Sequence, residues 1–485
     1  MSAPPLWRRL RLLAAGAAAC AAIACGVGGT TAGIEGTGVV SSGAISGFGS
    51  VFVNGVEFAT NGASILVNGQ PAAQTDLQVG EVVTVVGKAA AGALTGTAST
   101  IQYFANVQGP VEATNLGAST FTVLGQTVTV GSTTTLAFAG GGTATLANLS
   151  PGTPVVVSGF AGANGTLLAA RIDILQTLPA DLLSGVVAGL NTATAEFSLG
   201  GVTIDYGAAV LAGFPGGRGI QAGDTVQVTG AATTVPAPAV LHATALQFVA
   251  TPAGGGGSQG EIDGLVTRFA STTDFDVAGA PVTTNAGTAF FNGAAGTIAL
   301  GVHLRAQGVF EASGTLLAAQ INFDQSSPVL VQASVESVDA AAGTLQVLGI
   351  AISTSVDTRF DDQGPNPVRP FNLAALRVGD TVSVRGTTNA SNGIDASGLT
   401  RIGATPTVEL RGIASVAVSP NLTVLGIGAL TSGATQYRAA DGSTITSQQF
   451  YAAAPGAIVD LSGNLVGSVL QVQSARLPGR TETGD

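Results

Sequence analysis

Leu376-Arg377-Val378-Gly379-Asp380-Thr381-Val382-Ser383-Val384-Arg385-Gly386 decides the reading of this chain, because five other stretches repeat its form. Glycines with six residues between them recur as Gly80/Gly87, Gly152/Gly159, Gly223/Gly230, Gly301/Gly308, Gly379/Gly386 and Gly456/Gly463. The third and fifth residues after each first glycine are apolar: Val83/Val85, Val155/Val157, Val226/Val228, Leu304/Ala306, Val382/Val384 and Val459/Leu461. Polar or short residues such as Thr381/Ser383 and His303/Arg305 alternate with them, the period-two pattern of a half-buried strand. First glycines recur every 71 to 78 residues, so the 485-residue chain reads as six copies of one β module.

Working outward from the strand, each copy carries the same parts. In the first, Gly43 to Ile45 opens a strand, and Val51 to Phe58 forms a hairpin with Asn54-Gly55 at its corner, where positive φ is needed. Asp76 caps a short helical turn that Gly80 closes, and Leu94 to Ile101 forms the last strand. The expected boundaries are 34–106, 107–178, 179–253, 259–327, 328–406 and 407–480, with a linker at 254–258 and a polar tail at 481–485. Short strands with one helical turn between the third and fourth predict an all-β chain of six tandem five- to six-stranded OB-like barrels in a row. Each would be a separate compact barrel. The alternatives are a β-solenoid, disfavoured by the lack of a 20- to 30-residue period, and SH3-like modules.

Only 9% of residues are charged against 46% hydrophobic, which excludes the composition of a disordered chain. Arg8, Arg9 and Arg11 precede the apolar run Leu12 to Ala24, too short to span a bilayer, and the run ends Ala22-Ile23-Ala24-Cys25-Gly26. This resembles a bacterial lipoprotein signal, so 1–24 is expected to be removed and Cys25 acylated, with 25–33 as tether. Cys25 would then be the one thiol left, which rules out a disulfide framework. Gly26 after the Cys favours the outer membrane. Loss of residues 1–24, with three Arg and no acid, moves the formal charge from −11 to −14, and so acidic a body repels nucleic acid. The expected partners are therefore the membrane, through the lipid anchor, and envelope proteins or polysaccharide.

The tandem copies of F-x-V-x-G, T-x-F and L-x-x-G-x-x-V-x-V-x-G, behind a lipoprotein Cys and a Gly-rich tether, resemble the bacterial family called domain of unknown function 5666. In module five these are Leu345 to Gly349, Thr358-Arg359-Phe360 and Leu376 to Gly386. Leu replaces Phe in modules five and six, and module six reads Thr435-Gln436-Tyr437 in place of T-x-F. The resemblance spans nearly the whole mature chain and implies no activity.

Candidate sites are few. His303 is expected on the outer face of its strand beside Arg305, and His242 at the start of a last strand; both read as surface or structural residues. No Ser-His-Asp order, G-x-S-x-G, H-E-x-x-H or C-x-x-C occurs, so no catalytic residue and no cofactor is expected. Asp263 with Asp274 and Asp276, or Asp361 with Asp362, supply oxygens suited to calcium, but the loop 361–366 lacks alternating ligands and a closing Glu. Gly213 to Gly219 lacks the Lys-Ser/Thr of a phosphate cradle. Trp7 leaves with the signal, and Phe121, Phe197 and Phe275 fall at core positions, so stacking platforms for sugars are scarce. The reading is a non-enzymatic envelope lipoprotein serving as scaffold or protein-binding array, or alternatively a binder of polysaccharide or peptidoglycan.

Overall fold

The computed structural model describes residues 38–477 apart from 91–92, 143, 234–239, 251, 325–328, 356–357, 369–370 and 441. Cys25, the signal, the tether and the tail lie outside the described residues. Module five shows the architecture. Its long first strand, Val329–Asp339, pairs at one end with the fifth, Thr381–Thr388, and at the other with the second, Thr344–Val347. The second pairs with the third, Ile350–Ser353, which lies parallel to the sixth, Ile394–Ile402, and the sixth pairs with the fifth. The ring is closed, and the fourth strand, Arg359–Asp362, continues the third along the sixth. Closure pairs the six strands with one another and leaves one backbone side of the first strand's opening residues for a neighbour.

All six modules close in this way. The corresponding first-to-fifth, first-to-second, third-to-sixth and fifth-to-sixth pairings recur from Gly38–Phe48 of module one to Val469–Arg476 of module six. The single 3-10 turn expected before the fifth strand is present in modules one to five, and module six has an α-helix, Ser447–Ala453. Its Thr446 and Gln449 cap each other reciprocally.

The two glycines of each pair answer two different demands. The first has φ between 73° and 90° in every copy, and its N–H reaches a first-strand carbonyl, as from Gly379 to Val335 at 2.9 Å. The first strand bulges there and turns from its fifth-strand partner to its second. The second glycine sits opposite the sixth strand at another register shift. A Cβ at Gly386 would meet the Asp395 carbonyl oxygen at 2.1 Å, and at Gly308 the Leu317 oxygen at 1.9 Å. Between them, Val382 and Val384 are fully buried in the barrel, each burial contributing about 1.5–3 kcal/mol. Ser383 and Arg385 therefore point out.

The T-x-F threonine closes a gap in the ladder. The sixth strand pairs with the third at Ile394 and Asp395 and with the fourth from Gly398, so the Ala396 carbonyl falls between them. Thr358 Oγ1 donates to it at 2.7 Å and accepts from Ser355 N–H at 2.8 Å. Thr134, Thr288 and Thr435 do the same for Ala169, Ala318 and Val472.

The modules are tandem in sequence but not strung out in chain order. Module one joins module four through parallel pairing of Val39–Ser42 with Gln259–Ile262. Modules two and three join through Gln108 and Leu182, and modules five and six through Leu330–Gln332 and Glu409–Arg411. This corrects the expectation of six separate cores: the apolar interiors of two and three run together, as do those of five and six, because the joined first strands carry packing across the boundary. The cores of modules one and four stay distinct, the first taking in Leu182 of module three and the second Val40 of module one. The stretch 254–258 is built into module four: Phe310 and Gly257–Ser258 exchange backbone hydrogen bonds, and Gly254 lies against the Phe310 ring.

Candidate functional site

Joining modules five and six turns their outward residues onto one curved face. Gln332, Ser383, Arg385, Ser397 and Thr400 come from module five, and Glu409, Arg411, Asp460, Ser462 and Arg476 from module six. Module two covers this face with Ser119 and residues of 130–146, leaving a cavity of about 580 Å³. A second cavity of about 350 Å³ lies among modules one, four and five, lined by Asn54, Asp263, Arg305, Asn322, Asp324 and Asp395. The two share Thr133, Arg359 and Ser397, so they meet at Arg359.

Charge in the larger cavity is ordered. Arg411 holds Asp460 by two contacts, Nε to Oδ1 at 2.5 Å and Nη2 to Oδ2 at 2.9 Å. Burial, and then the nearby Asp460, lift the Glu409 carboxyl above its ordinary range, although Arg385 and Arg411 oppose them. Arg359 reaches the Thr133 carbonyl at 3.4 Å, and Gln363 donates to Asp361 at 2.8 Å. Such a face offers planar guanidinium donors, carboxylate acceptors and hydroxyls that can do both.

The residues singled out in the sequence are dispersed. His303 does lie on the outer face of its strand, but Phe160 of module two covers it at 4.4 Å between ring centroids. Its Nδ1 meets Asp324 at 3.0 Å, and Asp263 lies 2.9 Å from Nε2, off the N–H direction. Burial disfavours the charged ring, yet the two carboxylates prevail and raise its pKa to about 10. His242 is an exposed partner of Asp205 at 3.0 Å. The two histidines share no site.

Neither proposed calcium cluster assembles. Asp274 and Asp276 clamp Arg268 at 2.6 and 2.7 Å, while Asp263 faces His303 instead. Asp362 receives Arg401 Nε at 2.9 Å, Arg401 Nη2, and the N–H groups of Gly364 at 3.0 Å and Val368 at 2.7 Å. Its oxygens are taken by donors, and burial is outweighed by Arg401 in holding its pKa below the ordinary carboxylate range. Among the described residues no three His, Cys, Asp or Glu side chains gather as metal ligands. The glycine run 213–219 packs as a loop whose Arg218 pairs with Asp224 at 2.6 Å and lies over Phe214 and Phe248. Tyr103 and Tyr437 are buried, as are Phe121, Phe197 and Phe275.

Four segments, residues 37–102, 108–173, 263–322 and 333–398, match the family described as Domain of unknown function (DUF5666), and they span more than half of the chain. The chain belongs to this family. No curated protein matches it. Modules three and six fall outside the matched segments, yet they repeat the same closed pairing. The membership carries no activity with it.

Sequence reasoning did not single out the cavity residues Arg359, Arg385 and Arg476. It also missed Phe160. That residue had a signal: the position after the second glycine is Lys88, Ala231, Val309, Thr387 or Asn464 elsewhere, and only here aromatic.

Proposed function

We propose that this member of the domain of unknown function 5666 family is a non-enzymatic, lipid-anchored protein of the bacterial cell envelope, in which six joined barrels act as a scaffold or protein-binding array. One observation carries this reading. The residues that recur in every copy are turn glycines, buried strand residues and, in four copies, bracing threonines, whereas the charged groups that differ between copies are engaged with one another, as in Arg401–Asp362 and His303–Asp324. Cys25, in the signal-like context of residues 8–25, supports the anchor. Treatment with globomycin tests it: an unprocessed precursor should accumulate, and normal processing would remove the anchor. Cross-linking in intact cells should then yield envelope protein partners; none at all would remove the array.

The second reading is binding of an envelope polysaccharide or peptidoglycan. The polar cavities favour it, since their linings can accept and donate many hydrogen bonds. Sedimentation of the purified protein with insoluble envelope polymer is the test, and failure to co-sediment would count against it.

A further inference from the structure

We propose that modules one to four form one body and modules five and six another, and that the two swing apart about the single chain crossing between Asp324 and Val329. The joined cavities are then the closed form of a cleft. This gives the scaffold a joint, and it holds whether or not a polymer binds.

The first observation is where apolar packing stops. Modules one to four are knitted together: Leu182 of module three lies in the core of module one, Val156 of module two packs against it, and Val40 of module one lies in the core of module four. A further cluster draws Ala44, Phe160, Ala170 and Leu265 from modules one, two and four. Among the described residues, the core of modules five and six draws on nothing before Val329. Buried apolar surface resists separation in proportion to its area, so a boundary that no core crosses lacks that resistance.

The second is how polar groups are engaged. Inside the first body, buried Arg171 of module two donates to the Val79 carbonyl of module one at 2.9 Å, and buried Gln227 of module three donates to Asn68 of module one at 3.0 Å. Parting those modules would strand buried donors. Across the boundary, Arg359 reaches the Thr133 carbonyl at 3.4 Å, the long limit of such a bond, and both residues line the cavities, where water can replace either partner.

The third is the space itself. Cavities of about 580 and 350 Å³ lie along the boundary and meet at Arg359, so the surfaces that opening would expose already face room for water. Two bodies of one chain that share no large apolar interface move relative to each other, on the microsecond to millisecond scale. The chain crosses between them once, which restrains the motion to rotation about that point.

The test is pulsed electron paramagnetic resonance on nitroxide labels in the full chain, with Cys20 and Cys25 replaced by serine so that introduced cysteines alone react. Exposed residues of the turn or helix before the fifth strand serve in four modules: Thr75, Ala147, Ala374 and Gln448. Thr75→Cys with Ala147→Cys lies within the first body, Ala374→Cys with Gln448→Cys within the second, and Ala147→Cys with Gln448→Cys spans the boundary. Each pair within a body should give one narrow distance. The spanning pair should add a second, longer distance in about a tenth of the molecules or more. A spanning distance as single and narrow as the other two would overturn the proposal. A second distance of equal share in the Thr75–Ala147 pair would overturn the division into these two bodies. A melting transition like the parent's shows that each labelled protein is folded.

Discussion

Replacing Gly386 by Ala puts one methyl group where the fold has room for none. The new Cβ would stand 2.1 Å from the Asp395 carbonyl oxygen, 2.9 Å from its carbon and 3.0 Å from Ile394 Cγ2. Relief requires roughly 1 Å of separation, and the obstacle is backbone that belongs to the sixth strand and cannot rotate aside as a side chain would. The strands must part where Gly386 faces Ala396 and Thr387 faces Asp395, which costs about two ladder hydrogen bonds at about 1 kcal/mol each, plus strain of about 1–2 kcal/mol. The expected loss is therefore about 3–4 kcal/mol. Gly379→Ala meets no atom but forces φ of 90° on a residue with a Cβ, for about 1–2 kcal/mol. Gly296→Ala meets no atom and needs no positive φ, so it should be neutral or gain about 0.4–1 kcal/mol. Urea unfolding followed by far-UV circular dichroism should rank the midpoints 296, 379, 386 from highest to lowest. A Gly386→Ala protein as stable as Gly379→Ala would refute the close-approach explanation of the second glycine.

Other consequences can be checked in the same assay. The raised pKa of His303 means its stabilising contribution is complete below its ordinary value of 6.5 and disappears as pH rises through about 10, so the parent should lose stability between pH 7 and pH 10.5. His303→Asn should flatten that part of the profile, the difference at pH 7 being at most on the order of 4 kcal/mol; an unchanged profile would dismiss the ion triad. Thr358→Val should cost about 1–3 kcal/mol by leaving the Ala396 carbonyl and the Ser355 N–H without their partner, and Thr358→Ser should recover most of it. Millimolar calcium should leave the melting transition where it is, because Arg401 already occupies Asp362; a calcium-dependent rise abolished by Asp362→Asn would contradict this.

The module was legible because its demands are local. Gly379 and Gly386 bracket Val382 and Val384 in one short stretch, and the turns Asn54-Gly55 and Leu348-Gly349 show both residues at positive φ, as a tight hairpin requires. The arrangement of modules was not legible. Val39–Ser42 meets Gln259–Ile262 through backbone groups, which every residue carries, so no side-chain pattern announces which first strands will join. The cavity was hidden for the same reason. Arg385 follows the alternation of an exposed strand face and is enclosed only because module two folds over it. His303 was placed on the correct face, but its burial depends on Phe160, more than a hundred residues earlier in the chain.

The parallel seam between modules one and four has a bearing on how the chain is made. A polypeptide emerging from its amino terminus completes the first ring at Tyr103, yet the outer side of Val39–Ser42 waits for Gln259 before it gains a neighbour. Throughout that interval a Val- and Ser-bearing backbone edge stands open to whatever other extended segment arrives first. Two rings are finished in the meantime, and they pair with each other and not with this edge, which is still open when Gln259–Ile262 arrives.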